Sequence, residues 1–259
     1  MTSRISAPVQ ALAAREWLRF SRQRARVVAA IGTPLLFWLF LGSGMGESFQ
    51  VYGGDGGGYL EYFFPGSLLL VLVFASVFAS MSVIEDRNEG FLQGVLVSPI
   101  PRSGIVWGKV IGITSLGFAQ GAIFASAAPL AGLNPSFWGW ILLVPTLFLT
   151  SFALSALGFY FAWRINSVQG FHGVMNILLF PLWLLSGALF PGEGAAGWMQ
   201  WVMKINPFSY SLSALRQCLS WGNSGSFGIV SFALCLLVTG LLGGVFIFLS
   251  IRLLKGKKV

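Results

Sequence analysis

The chain has 259 residues, of which 56% are hydrophobic and 9% charged, with a mean hydropathy of +0.79 and a formal net charge of +8. So few charges cannot cover so much apolar surface, which excludes a water-soluble globule and makes lipid the solvent. Cys218 and Cys235 are too few for a disulfide framework and read as inert packing residues, and the lone histidine, His172, cannot build a zinc centre.

The first 26 residues carry a pattern of their own. At about 100° per residue, Val9, Leu12, Ala13, Trp17 and Phe20 fall on one face, and Arg15, Arg19, Arg22 and Arg26 on the other. This predicts an amphipathic helix lying flat in the membrane interface, its guanidinium groups among lipid phosphates. The competing reading is an Arg-rich topology signal without fixed structure.

Six apolar stretches follow, at 27–45, 65–84, 111–133, 138–163, 173–190 and 227–253. Each approaches the ~20 residues that a bilayer-crossing helix requires. The first is longer than the 7 to 15 apolar residues of a signal peptide core and is expected to remain in the mature chain. These spans and their connections use nearly the whole length, leaving no room for a soluble catalytic domain of ~100 residues or more. The expected organisation is a lead helix over 1–26, a six-helix membrane domain over 27–253 and a basic tail over 254–259.

The positions of the basic residues assign the positive charge to orientation rather than to nucleic acid. Fourteen of the sixteen fall on one side of a six-span topology: Arg4, Arg15, Arg19, Arg22, Arg24, Arg26, Arg87, Arg102, Lys109, Arg164, Arg252, Lys255, Lys257 and Lys258. Lys204 and Arg216 fall on the other side, with Glu47, Asp55, Glu61 and Glu193. The positive-inside rule therefore predicts that both termini are cytoplasmic.

Between the first two spans, the run from Gly53 to Gly58 lacks the Lys-Ser/Thr ending of a phosphate-binding loop. Gly104 to Lys109 has three residues between its glycines where a Walker A motif needs four, and Val110 where Ser or Thr would bind magnesium. The chain thus has no ATP-hydrolysing site of its own. The segment from Glu85 to Lys109 opens with Glu85, Asp86, Arg87, Asn88 and Glu89, continues with Phe91, Leu92, Val95 and Leu96 at helical spacing, and stops at Ser98-Pro99-Ile100-Pro101. It predicts a short helix with acids at its start, where the helix dipole favours them, and an apolar stripe suited to docking on another protein or to covering helix ends.

Glycine pairs at four-residue spacing, Gly42 and Gly46, Gly108 and Gly112, Gly117 and Gly121, Gly240 and Gly244, predict close helix packing. No Asp, Glu or Lys is placed mid-span, which argues against coupling to an ion gradient. The neutral polar groups Gln120, Ser151, Ser155, Asn176 and Ser186 suit either helix packing or weak contacts along a path for an amphiphile. After the fifth span, Asn206 caps a helix whose first turn holds Pro207 and which continues past Tyr210 and Arg216 to Cys218, carrying apolar Leu212 and Leu215. With the preceding aromatic segment at 198–203, it predicts two short helices on the outer face, dipping into the headgroup region.

Three of these segments carry a resemblance. EDRNEGFLQGVLVSPI at 85–100, LLSGALFP at 184–191 and NPFSYSLSALR at 206–216 resemble, in the same order, motifs of the type 2 ABC exporter permeases, the class of drug-resistance and nodulation-factor exporters. The resemblance implies an all-α integral membrane fold: six transmembrane helices, an N-terminal amphipathic interface helix that includes Arg15, Trp17, Arg19, Phe20 and Arg22, and short outer-face helices between spans five and six. It implies that the segment between spans two and three is the coupling helix, with Glu85, Arg87, Glu89, Leu92 and Leu96 meeting an ATPase. It further implies two cytoplasmic ATP-binding subunits, which would bind ATP and magnesium, and a second permease copy or sister permease in the inner membrane. Phe91 stands where the family has Thr, and Gly94 where it commonly has Leu; a glycine inside a helix costs up to about 1 kcal/mol, predicting a short or kinked coupling helix. A hydrophobic or amphiphilic cargo (drug, lipid or lipid-linked glycan) follows from the uncharged spans. An ATPase-independent carrier, a lipid-modifying enzyme using His172, and a non-transporting subunit are the alternative readings of the same spans.

Overall fold

A computed structural model describes residues 3–45, 58–97, 100–221 and 230–256. The glycine run up to residue 57, the Ser98-Pro99 turn, Gly46, and Lys257 and Lys258 lie outside the described residues, among which no strand occurs. Helix α1 (Ser3–Arg22) breaks at Gln23 and is followed by α2 (Arg24–Gly44). Next come α3 (Tyr59–Asn88), α4 (Phe91–Val97), α5 (Arg102–Ala125), α6 (Phe137–Arg164), α7 (Val168–Trp183), α8 (Gly197–Ile205), α9 (Pro207–Leu219) and α10 (Phe232–Gly256). Five of these, α3, α5, α6, α10 and α7 with the turn that extends it, are long and apolar enough to cross a membrane; α2 contributes a shorter apolar helix at Val28–Gly44.

Helix α3 is the axis of the bundle. Its 30 residues make a rod about 45 Å long, buried on nearly every face by α2, α5, α6, α7 and α9. The remaining spans arrange themselves around it, α5 against α6 and α6 against α10. Small residues decide how closely they approach. A Cβ at Gly117 would stand 3.2 Å from Ser76 Oγ, and one at Gly121 only 2.4 Å from Leu72 Cδ2, so α5 can lie against α3 only as glycine. Gly42 packs in the same way on Leu60, whereas Gly244 faces open space.

Several boundaries differ from the hydropathy pattern. The third span begins at Arg102, nine residues before the predicted 111, because Pro101 sets an extended backbone and Lys109 is neutralised inside the helix. It ends at Ala125; the Pro129 turn (Ala128–Ala131) and Gly132, at φ +88°, prevent continuation to 133. The fifth span starts at Val168, capped by Ser167, and its last turn widens over Leu184–Ala188, where Gly187 at φ +87° ends it before the predicted 190. Helix α9 also departs from expectation. Phe208, Leu212, Leu215 and Leu219 form a buried stripe against α6 and α10, so this helix belongs to the bundle rather than to its surface. Only α8 fits a surface helix, with Trp198, Trp201 and Ile205 exposed.

Candidate functional site

The charged groups meet at one end of the bundle, where α1 lies along α5. Gly108 and Gly112 of α5 make this contact possible: a Cβ at Gly108 would be 3.0 Å from Leu12, and one at Gly112 3.0 Å from the Ala13 backbone. Close approach brings Glu16 of α1 beside Lys109 of α5, and Lys109 in turn bonds Asp86 of α3. All three are buried. Arg15 donates to both Asp86 oxygens at 2.7 and 2.6 Å while its guanidinium lies 3.6 Å above the Phe91 ring. Arg19 bonds Asp86 as well, and reaches Glu85 at 3.1 Å and Glu89 at 2.8 Å. One joint therefore ties α1, α3, α4 and α5 together.

The arrangement is electrostatically demanding. Glu85, Asp86 and Glu89 stand at the C-terminal end of α3, where the helix dipole disfavours negative charge, and not at the start of the following helix as predicted. The reason is that α3 runs on through the charged cluster and turns only at Gly90, at φ +79°. Three cations from α1 and α5 offset the acids, and ionised side chains this deeply buried persist only when so paired. Arg15 and Arg19 thus face protein carboxylates rather than lipid phosphates, correcting the predicted orientation of the lead helix. Arg22 remains exposed at its end, Phe20 packs on the core, and Trp17, half-exposed, donates to Ser115 Oγ at 2.7 Å.

The predicted docking residues are mostly turned inward. Arg87 caps the end of α6 by donating to the Trp163 and Ile165 carbonyls. Leu92 is buried, Leu96 packs against the core, and Glu85 belongs to the joint; Glu89 is the partly open member, its side chain 59% exposed. The seven-residue α4 does pass through Gly94 without a break, and it leaves Gln93, Gly94 and Val97 on its outer surface, Val97 83% exposed. Arg102 fastens the last span to the same layer through the Leu254 carbonyl.

The five polar residues considered for a path fall in different surroundings. Gln120, Ser151 and Ser155 are buried inside the bundle, Asn176 is exposed on α7, and Ser186 donates to the Trp183 carbonyl at 2.6 Å in the broken end of that helix. At the end of the bundle opposite the joint, Asn206 accepts from Phe208 N at 3.0 Å and donates to the Leu182 carbonyl at 2.6 Å, so Pro207 begins α9 next to the end of α7. Tyr210 donates to the Lys204 carbonyl at 2.7 Å, and Arg216 turns inward to the Gly187 carbonyl at 2.7 Å. His172 makes an edge-type ring contact with Phe78, and no group of His, Cys, Asp or Glu among the described residues could hold a metal. Sequence reasoning passed over Glu16 and named Asp86 and Lys109 only as members of a charged segment, not as a buried pair; the available signal was an acid, Glu16, on the apolar face of α1 one turn beyond Leu12.

This is a multi-pass helical membrane protein with a charged layer at one end. The model of the ABC-2 type transporter family matches residues 8–220, and the chain belongs to that family. It is 26% identical over 227 residues to a putative transport permease, ycf38, of Cyanophora paradoxa, covering 85% of this chain and 78% of that one. It is 23% identical over 245 residues to the daunorubicin resistance ABC transporter permease protein DrrB1 of Streptomyces coeruleorubidus, covering 94% and 84%. Nodulation protein J of Rhizobium meliloti matches at 25% over 216 residues, 82% of this chain and 80% of the relative. The protein is accordingly the permease subunit of an ABC exporter, a transmembrane component without catalysis of its own, and the ATPase is a separate partner.

Proposed function

We propose that this permease sits in an inner membrane with both termini cytoplasmic, pairs with a second copy or a sister permease, and is driven by two ATP-binding subunits docked at the joint. The observation that carries the reading is the ion-paired layer that fuses α1, the end of α3, α4 and the start of α5. A push on α4 moves this layer as a body, because separating any member exposes a buried charge. The ATPase contact is assigned to Gln93, Gly94, Val97 and the open edge of Glu89, with ATP and magnesium held entirely by the partner. The basic excess at this end supports its cytoplasmic placement. Trp17 and Leu18 of α1, and Trp198 and Trp201 of α8, anchor the two ends among membrane lipids. The cargo is hydrophobic or amphiphilic: a drug, a lipid or a lipid-linked glycan. The name of one relative, a daunorubicin resistance ABC transporter permease protein, accords with a drug.

Pull-down from the native membrane tests the docking surface. Wild type is expected to bring down an ATP-binding subunit, and Val97→Asp to lose it while α1 stays protected from protease. Loss with Glu85→Ala but not with Val97→Asp would transfer the contact to the joint. If no ATP-binding subunit accompanies wild type, the coupling reading is wrong.

A further inference from the structure

The end of α7 is held by side chains from two other helices. The Gly187 carbonyl, in the left-handed break, accepts from Tyr62 Oη of α3 at 2.8 Å and from Arg216 Nη2 of α9 at 2.7 Å. The same guanidinium lies 4.3 Å over the Tyr62 ring, so the two donors brace each other. Beside them Tyr59 Oη donates to the Leu189 carbonyl at 3.2 Å, and Trp183 Nε1 to the Gly66 carbonyl at 2.8 Å. The turn also fits tightly: a Cβ at Gly66 would come within 2.9 Å of the Ala188 carbonyl oxygen. Tyr62 and Arg216 thus converge on one carbonyl that helical geometry has released, a more specific arrangement than capping alone requires.

Tyr62 shares its helix with Asp86 of the charged joint, about 36 Å away along the axis of α3. We infer that Tyr62, Gly187 and Arg216 form a latch operated by α3, with Arg216 its positioning residue: displacement of α3 at the Asp86 end withdraws Tyr62 and frees the end of α7. A carbonyl shared by a phenol and a guanidinium suits this role, because a small axial shift of α3 removes one donor and the stacking surface of the other together. The inference rests on the proposed drive at the joint.

Cysteine accessibility tests it in the intact complex with its ATPase, in right-side-out and inverted vesicles. Leu189→Cys, with Phe190→Cys as a second reporter, is labelled with a membrane-impermeant maleimide in ADP and in ATP with vanadate; Cys218 and Cys235 are buried. With the latch intact, labelling is slow in ADP and faster in ATP with vanadate. Arg216→Gln makes it fast in both states, by at least about tenfold in ADP, the scale of a lost hydrogen bond to a charged group. Tyr62→Phe has an intermediate effect, and Arg216→Lys restores part of the protection. Equal rates for wild type and Arg216→Gln overturn the latch. Fast labelling in Arg216→Gln without nucleotide dependence in wild type reduces it to a static brace and overturns its operation by α3. Label reaching the reporters only in inverted vesicles refutes the orientation and leaves the latch standing.

Discussion

Replacing Asp86 by Asn removes the charge on which Arg15, Arg19 and Lys109 converge while keeping the side chain's shape. The loss is unevenly shared. Lys109 retains Glu16, and Arg19 retains Glu85 and Glu89, but Arg15 keeps, among the described residues, the Phe91 ring and a neutral amide. Breaking a buried pair costs about 3–5 kcal/mol, and the surviving partners place this change near the lower figure. Undocking of α1 then becomes roughly a hundredfold more frequent, since about 1.4 kcal/mol corresponds to a factor of ten. Limited trypsin digestion reads this directly at Arg15 and Arg19, which become cleavable when α1 leaves α5, and cleavage follows the open population when reclosing is fast. Glu89→Gln, at an exposed ion pair, is the control and should change the rate less than about fivefold. If Asp86→Asn is cut no faster than Glu89→Gln, the joint does not hold the lead helix and the rigid-layer argument fails.

Gly112→Leu drives side-chain atoms into Ala13 and Glu16 and should release α1 to the same protease, whereas Gly244→Ala, with nothing within 4 Å, should not. Burial pushes the Cys218 thiol up to about 11, against the weaker lowering effect of Thr146, so its thiolate is scarce at pH 8. Maleimide should therefore modify it only after denaturation in detergent; rapid labelling of the folded protein would contradict its burial. Asn206→Ala removes the cap on Phe208 N and the bond to the Leu182 carbonyl, and should destabilise the α7–α9 end by about 1–2 kcal/mol, measured as a lowered thermal midpoint.

Much of the fold was legible because hydropathy acts locally along a helix. The apolar runs reported five long spans and the shorter α2, the periodicity of 9–20 reported α1, and Asn206-Pro207 reported the start of α9. Helix ends were less legible where a distant partner decided them: Lys109 enters α5 because Glu16 and Asp86 neutralise it. The charged segment from Glu85 to Leu96 was legible as a unit but was read as a surface, whereas Asp86 and Leu92 are buried. Charge at a membrane boundary looks solvated in sequence, and only the approach of α1 along Gly108 and Gly112 showed that Asp86 is buried and Arg15 and Arg19 committed to it.

By itself, the sequence determined a lipid-embedded bundle with a basic end, since composition and run length depend on the solvent alone. Which charges are left at the surface and which hold the molecule together was decided by tertiary structure. Burial and ion pairing are properties of helices that meet from far apart in the chain, as Arg15 and Asp86 do across 71 residues. So too with Arg216, whose inward turn depends on a carbonyl that α7 exposes only where Gly187 breaks it.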